Sequence, residues 1–184
     1  MYDLIIIGAG PAGISAAYEA KKLGLDYLVI EKGLIGNTIY QYPVGLTVFS
    51  TTNELEFEPG DLKPAREKPT REELLSYYVR FVLDNELNIR TEEAVESVEA
   101  PEEFPAETKR LKEKGFRVVT NKSEYRAKNV LFAIGAMDYP RKLNVPGEDL
   151  PKVYDYFRET YPWVKKHALI IGGGNSAEIG RAHV

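Results

Sequence analysis

The chain has 184 residues, of which 43% are hydrophobic and 28% charged, with a formal net charge of −4 and no cysteine. That length holds one ordinary domain and part of another. The acidic balance excludes a basic footprint for nucleic acid, no apolar run is long enough to span a membrane, and the absence of cysteine excludes disulfides, thiolate metal sites and redox thiols within these residues. Residues 1–7 lack a basic leader and read instead as a core strand, so no signal peptide is expected and the expected location is cytoplasmic.

Residues 3–7 are continuous and β-branched, the pattern of a parallel strand buried on both faces. The turn Gly8-Ala9-Gly10-Pro11-Ala12-Gly13 follows immediately. The first glycine permits the tight turn, the second lets the backbone approach a pyrophosphate, and the third lets the next helix pack close to the sheet. A helix is predicted over 11–24, with Pro11 in its first turn, Ala16, Ala17, Ala20 and Leu23 on its packed face and Gly24 as its cap. Its N-terminus would face the pyrophosphate with free N–H groups. A second strand over 27–31 ends in Glu31, placed to accept hydrogen bonds from ribose hydroxyls. Together these elements form a complete unit for binding an ADP group.

Residues 33–70 are long, irregular and rich in proline and glycine, the mark of a functional or flexible loop. The first half is aromatic, with Tyr40, Tyr42 and Phe49; the second is charged and expected at the surface. Thr70 and Glu73 form a capping box for a helix over about 71–86, whose packed side carries Leu74, Leu75, Tyr78, Phe81, Val82 and Leu87. Tyr77 and Tyr78 read as packing. Ile89 starts a short strand, and residues 93–98 alternate as a half-buried one. Residues 101–115 are a polar excursion. Residues 116–120 and 124–127 read as a hairpin, 129–134 as another buried strand ending at Gly135, and 153–157 as a short strand. Trp163 reads as packing and His167 as an exposed residue. An apolar strand over 168–171 leads into a second turn, Gly172-Gly173-Gly174-Asn175-Ser176-Ala177, which fits G-x-G-x-x-A.

Two glycine turns on one chain imply two dinucleotides, the layout of flavoproteins reduced by a nicotinamide cofactor. No Ser/His/Asp set, carboxylate pair or metal-ligand spacing stands out, so no catalytic side chain is assigned and no metal is expected. In flavin enzymes the cofactor carries the hard chemistry and the protein positions it.

The segment from Val130 to Gly135, then Pro140-Arg141 and Val145-Pro146-Gly147, resembles the crossover of flavoprotein reductases related to thioredoxin reductase. Glu31-Lys32-Gly33, the run Ile39-Tyr40-Gln41-Tyr42-Pro43, Phe49-Ser50, Tyr77-Tyr78 and the stretch from Leu150 to Phe157 narrow the resemblance to the YpdA-type bacillithiol-disulfide reductases. The resemblance covers residues 1–177 and implies FAD at the first turn and NADPH at the second. It implies that Gly8, Gly10, Pro11 and Gly13 line the pyrophosphate, that Glu31 holds the ribose and that the Val95 backbone meets the adenine. It places Tyr42, Pro43, Ser50 and Gly135 near the isoalloxazine, with further cofactor contacts from Ala12, Lys32 and Ala133. Gly172, Gly174, Asn175 and Ser176 would begin the NADPH site. Members of that family often carry a cysteine where Ala12 stands; alanine offers no nucleophile, so disulfide exchange through this position is not expected.

The expected fold is α/β: a three-layer, Rossmann-like FAD-binding domain over 1–150, a crossover over 151–166, and the first strand of a truncated NAD(P)-binding Rossmann domain over 167–177. Residues 178–184, EIGRAHV, equal one translated frame of a common sequencing adapter and are expected to be a foreign tail. The expected function is that of an FAD-dependent, NADPH-oxidising reductase passing electrons to a small-molecule or disulfide acceptor, possible as a homo-oligomer in full length and inactive in this shortened form. A flavin monooxygenase and a non-catalytic flavin-binding module are the alternatives.

Overall fold

The computed structural model describes residues 1–100, 115–174 and 177–178. Residues 101–114 of the expected polar excursion, Asn175 and Ser176 of the second glycine turn, and 179–184 of the expected tail lie outside the described residues.

Six strands, β1 (Tyr2–Ile7), β2 (Tyr27–Ile30), β3 (Ile89–Arg90), β4 (Val95–Glu99), β5 (Phe116–Thr120) and β6 (Glu124–Phe132), form one sheet in the order β3-β2-β1-β6-β5-β4. β3, β2, β1 and β6 run parallel, and β6, β5 and β4 form an antiparallel meander. The helices are α1 (Pro11–Lys22), α2 (Asn37–Tyr40), α3 (Thr52–Leu55) and α4 (Arg71–Asp84), with a 3-10 turn at Tyr161–Trp163.

Alternation along β1 and β2 divides the core in two. Ile6, Tyr27 and Val29 pack against Ile14, Ala17 and Ala20 of α1 and Leu74, Tyr78, Phe81 and Val82 of α4. Ile5, Ile7, Leu28 and Ile30 point the other way, onto Val118, Tyr125 and Ala127 of the meander. Both faces of β1 and β2 are thus covered, which is why these strands read as unbroken apolar runs. Helices, parallel strands and meander make the expected three layers, an α/β Rossmann-like fold.

The expected strands over 124–127 and 129–134 are one continuous strand. β6 pairs with β5 through Glu124–Ala127, then with β1 through Ala127 and Asn129–Phe132. Where the two expected segments join, Lys128 pairs with Asp3 and the Asn129 amide donates to the Asp3 carbonyl. The hairpin is as expected: Thr120 Oγ1 accepts from the Lys122 and Ser123 N–H groups.

Residues 153–157 and 168–171 are not strands. A strand needs a neighbour for its N–H and C=O groups, and no described strand pairs with either segment. Leu169 is 86% exposed. Nor is the second half of the 33–70 loop wholly at the surface: Leu62 and Pro69 are buried, and the Phe57 ring lies 4.5 Å from that of Phe81.

Both helix ends follow their sequence signals. Gly24, at φ +67°, donates to the Lys21 carbonyl and closes α1 as a left-handed cap residue does. Thr70 Oγ1 accepts from Glu73 N, and the Glu73 carboxylate accepts from Thr70 N. The Ala65 and Thr70 N–H groups hold that carboxyl below the usual glutamate range. Because the folded value is depressed, its stabilisation is present above the ordinary glutamate range and lost as pH falls through the folded value. Thr70→Ala is expected to destabilise the fold by about 1 kcal/mol. An unchanged urea midpoint would remove the capping box from the account.

Candidate functional site

The site is built where the chain leaves β1, between the chains that leave β2 and β6. Gly8 N donates to the Ile30 carbonyl at 2.8 Å, and Ala133 N donates to the Ile7 carbonyl at 2.8 Å. A Cβ on Gly8 would stand 2.4 Å from the Ala133 carbonyl oxygen, in a backbone conformation at φ +106° that side chains rarely adopt. A Cβ on Gly13 would stand 1.9 Å from the Gly8 carbonyl oxygen, so α1 rests directly on the turn. Gly10 is different: nothing lies within 4 Å of its Cβ position. The three glycines therefore do three things: turn, open space and close packing.

Gly10 is the N-cap of α1 and offers no side chain to its first turn. Pro11, the first helical residue, has no N–H to satisfy. Ala12 is exposed in the same turn, and Gly13 is buried. An uncapped N-terminus beside open space suits an anion, since free N–H groups and the helix dipole both point into it.

Glu31 is 7% exposed. One carboxylate oxygen accepts from Ala9 N at 2.7 Å and the other from Gly33 N at 2.8 Å. The side chain thus ties the glycine turn to the end of β2. A carboxylate offers about four acceptor positions, so room for ribose hydroxyls remains. The Glu31 carbonyl accepts from Glu93 N, which brings the entry to β4 and its first residue Val95 toward the same end. Val95 packs with Ile5, Ile7, Leu28 and Ile30.

Lys32 is paired with Asp138 at 2.6 Å, and that partner holds its ammonium above the usual lysine range. Ala133 is half-buried beside Gly8, and Gly135 is exposed at φ +67°. Gly36 N donates to the Ala9 carbonyl, fixing the start of the aromatic loop to the turn. Tyr42 packs against the main core; Pro43 and Ser50 are half-buried. The first turn, Glu31, Lys32, Ala133 and Gly135 are thus gathered at the ends of three adjacent strands. Gly172 and Gly174 are exposed and belong to no described strand; Gly174 O accepts from Ala177 N and Glu178 N. Asn175 and Ser176 lie outside the described residues.

Sequence reasoning missed a buried polar network behind this site. Glu93, 3% exposed, accepts from Thr120 Oγ1 at 2.7 Å and from the Tyr125 hydroxyl at 2.8 Å. Arg90 donates to the same Tyr125 hydroxyl at 2.6 Å. Burial, and then the Glu93 carboxylate, push the Tyr125 phenol upward. A glutamate at the start of an alternating run gives no sign of its partners. Arg71, whose guanidinium lies over the Tyr40 ring and donates to the Tyr40 carbonyl, was likewise illegible. The described residues hold no cluster of His, Cys, Asp or Glu able to bind a metal, and no described helix is long and apolar enough to cross a membrane.

The family described as pyridine nucleotide-disulphide oxidoreductase matches residues 5–178. Among curated relatives, the bacilliredoxin reductase Bdr of Bacillus subtilis (strain 168) is 39% identical over 173 residues, which are 94% of this chain and 50% of that protein. Among solved structures, the bacillithiol disulfide reductase Bdr (YpdA) of Staphylococcus aureus superposes with a TM-score of 0.89 at 35% identity, covering 98% of this chain and 53% of that one. The enzyme of the same description from Bacillus cereus gives 0.86 at 37% identity, covering 96% and 52%. The chain spans about half the length of the curated relatives it matches.

Proposed function

Because the chain belongs to the pyridine nucleotide-disulphide oxidoreductase family, in its YpdA/Bdr-type branch, we propose that it supplies the FAD-binding part of an NADPH-oxidising reductase. The observation that carries this reading is the glycine turn. It has open space at Gly10, a helix pressed onto Gly8 through Gly13, and a buried glutamate tied to both sides.

Gly8, Gly10, Pro11, Ala12 and Gly13 form the pyrophosphate cradle. Glu31 accepts from the ribose, with Lys32 beside it. The Val95 backbone meets the adenine, while Tyr42, Pro43, Ser50, Ala133 and Gly135 border the flavin ring. FAD, when bound, supplies the relay between NADPH and a small-molecule or disulfide acceptor. The protein's part is to hold the dinucleotide extended along the strand ends and to fix the ring's neighbours. Ala12 is exposed in the first turn of α1. It carries no sulfur, so no covalent exchange with a disulfide runs through it.

Gly172, Gly174, Asn175 and Ser176 begin the NADPH site of the domain that starts near residue 167. Its first strand, expected over 168–171, has no described strand to pair with. The 184-residue chain should therefore bind one FAD, seen as a change in flavin fluorescence on titration. On addition of NADPH without oxygen, the flavin absorbance should bleach slowly or not at all. Absence of FAD binding would overturn the assignment of the first turn. Steady NADPH turnover by this chain would overturn the view that the second site is incomplete.

A further inference from the structure

The glycine turn from Gly8 to Gly13 carries no charged side chain. Its attraction for a pyrophosphate therefore rests on backbone N–H groups and on cations supplied by flanking segments. Lys32 follows β2, and Asp138 lies in the segment that follows β6. These two strands flank β1 on either side, so the Lys32–Asp138 pair reaches across the end of β1, where the turn begins. The ammonium and carboxylate are 2.6 Å apart, with side chains 48% and 24% exposed. Tyr139, next in sequence, places its ring centroid 5.6 Å from the same ammonium.

We propose that Asp138 is the resident counter-ion of Lys32 and that it gives Lys32 up to the pyrophosphate of the entering dinucleotide, which makes Asp138 a negative determinant of cofactor affinity. The inference rests on the FAD reading above and adds to it a residue that opposes binding. An ion pair with both ends partly in water contributes little and is readily exchanged. A pyrophosphate held on a helix N-terminus is the stronger partner for a flexible ammonium. No bond is made or broken; one ion pair replaces another, and the freed Asp138 carboxylate is rehydrated.

The test is FAD titration of the 184-residue chain at low and high salt, by flavin fluorescence, with melting temperature followed in parallel. Asp138→Asn should bind FAD about two- to fivefold more tightly at low ionic strength, and the gain should shrink at high salt as screening grows. Asp138→Ala should behave alike, which guards against a defect peculiar to one substitution. Lys32→Met should bind more weakly, and Lys32→Met with Asp138→Asn should match Lys32→Met alone, since a mask has no effect once its cation is gone. Binding by the unsubstituted chain with no gain, or a loss, in both Asp138 variants would overturn the exchange and leave the FAD site standing. No FAD binding by the unsubstituted chain would overturn both.

Discussion

Gly13→Ala is expected to abolish FAD binding and to destabilise the fold by about 3 kcal/mol or more. The added methyl would stand 1.9 Å from the Gly8 carbonyl oxygen and 2.9 Å from its carbon. Neither atom is the end of a flexible side chain. The Gly8 carbonyl belongs to a turn held on one side by the Ile30 carbonyl and closely approached on the other by Ala133. Relief therefore requires α1 to lift from the sheet, which opens the contact of Ile14, Ala17 and Ala20 with Ile6 and Val29. Gly10→Ala is the control. Its methyl meets nothing within 4 Å, so the unfolding free energy from urea melts should hold to within about 0.5 kcal/mol while FAD affinity falls, because the methyl takes up the space of the pyrophosphate. The pair separates the structural glycine from the binding one. Equal urea midpoints for the two variants would show that the helix does not rest on the turn as described.

Glu31→Ala is expected to cost roughly 2–4 kcal/mol of stability, together with most of the FAD affinity. Its two carboxylate oxygens accept from Ala9 and Gly33, at 2.7 and 2.8 Å. Removing them leaves two N–H groups without their partner at a site where Glu31 itself is 7% exposed, and unpaired buried donors are costly. Glu31→Gln tests the same point with less change of shape. Its amide can accept from one N–H only and turns a donor toward the other. It should lie between the wild type and Glu31→Ala in urea, with FAD affinity closer to Glu31→Ala. Full stability in Glu31→Gln would mean that the carboxylate is not the tie between the turn and β2.

The first glycine turn, its flanking strands and Glu31 were legible because their meaning is local. A buried parallel strand is apolar on both faces, a left-handed turn needs glycine, and a helix laid on that turn tolerates no side chain at its third glycine. Each requirement leaves its mark within a few residues of where it acts. The capping box of Thr70 and Glu73 and the packed side of α4 were legible for the same reason: both depend on neighbours three or four residues away.

The errors arose where a residue's state is set by distant partners. Glu124–Phe132 is one strand because β5 takes its first half and β1 its second, a division that no window of sequence contains. Ala168–Ile171 has the composition of a strand and lacks a described one beside it, so its pattern alone does not make it one. Spacing set Glu31 at the end of β2, yet its hold on Ala9 and Gly33 emerged only with the turn folded against that end. The buried Glu93 network and the Lys32–Asp138 pair join segments 32 and 106 residues apart, as Tyr125 follows Glu93 and Asp138 follows Lys32. The sequence by itself determined the first glycine turn, the helix ends at Gly24 and Thr70 and the apolar faces, which short-range sterics and burial dictate. Only the tertiary structure decided which charged and polar groups distant in sequence meet, because the sheet order β3-β2-β1-β6-β5-β4 sets those encounters.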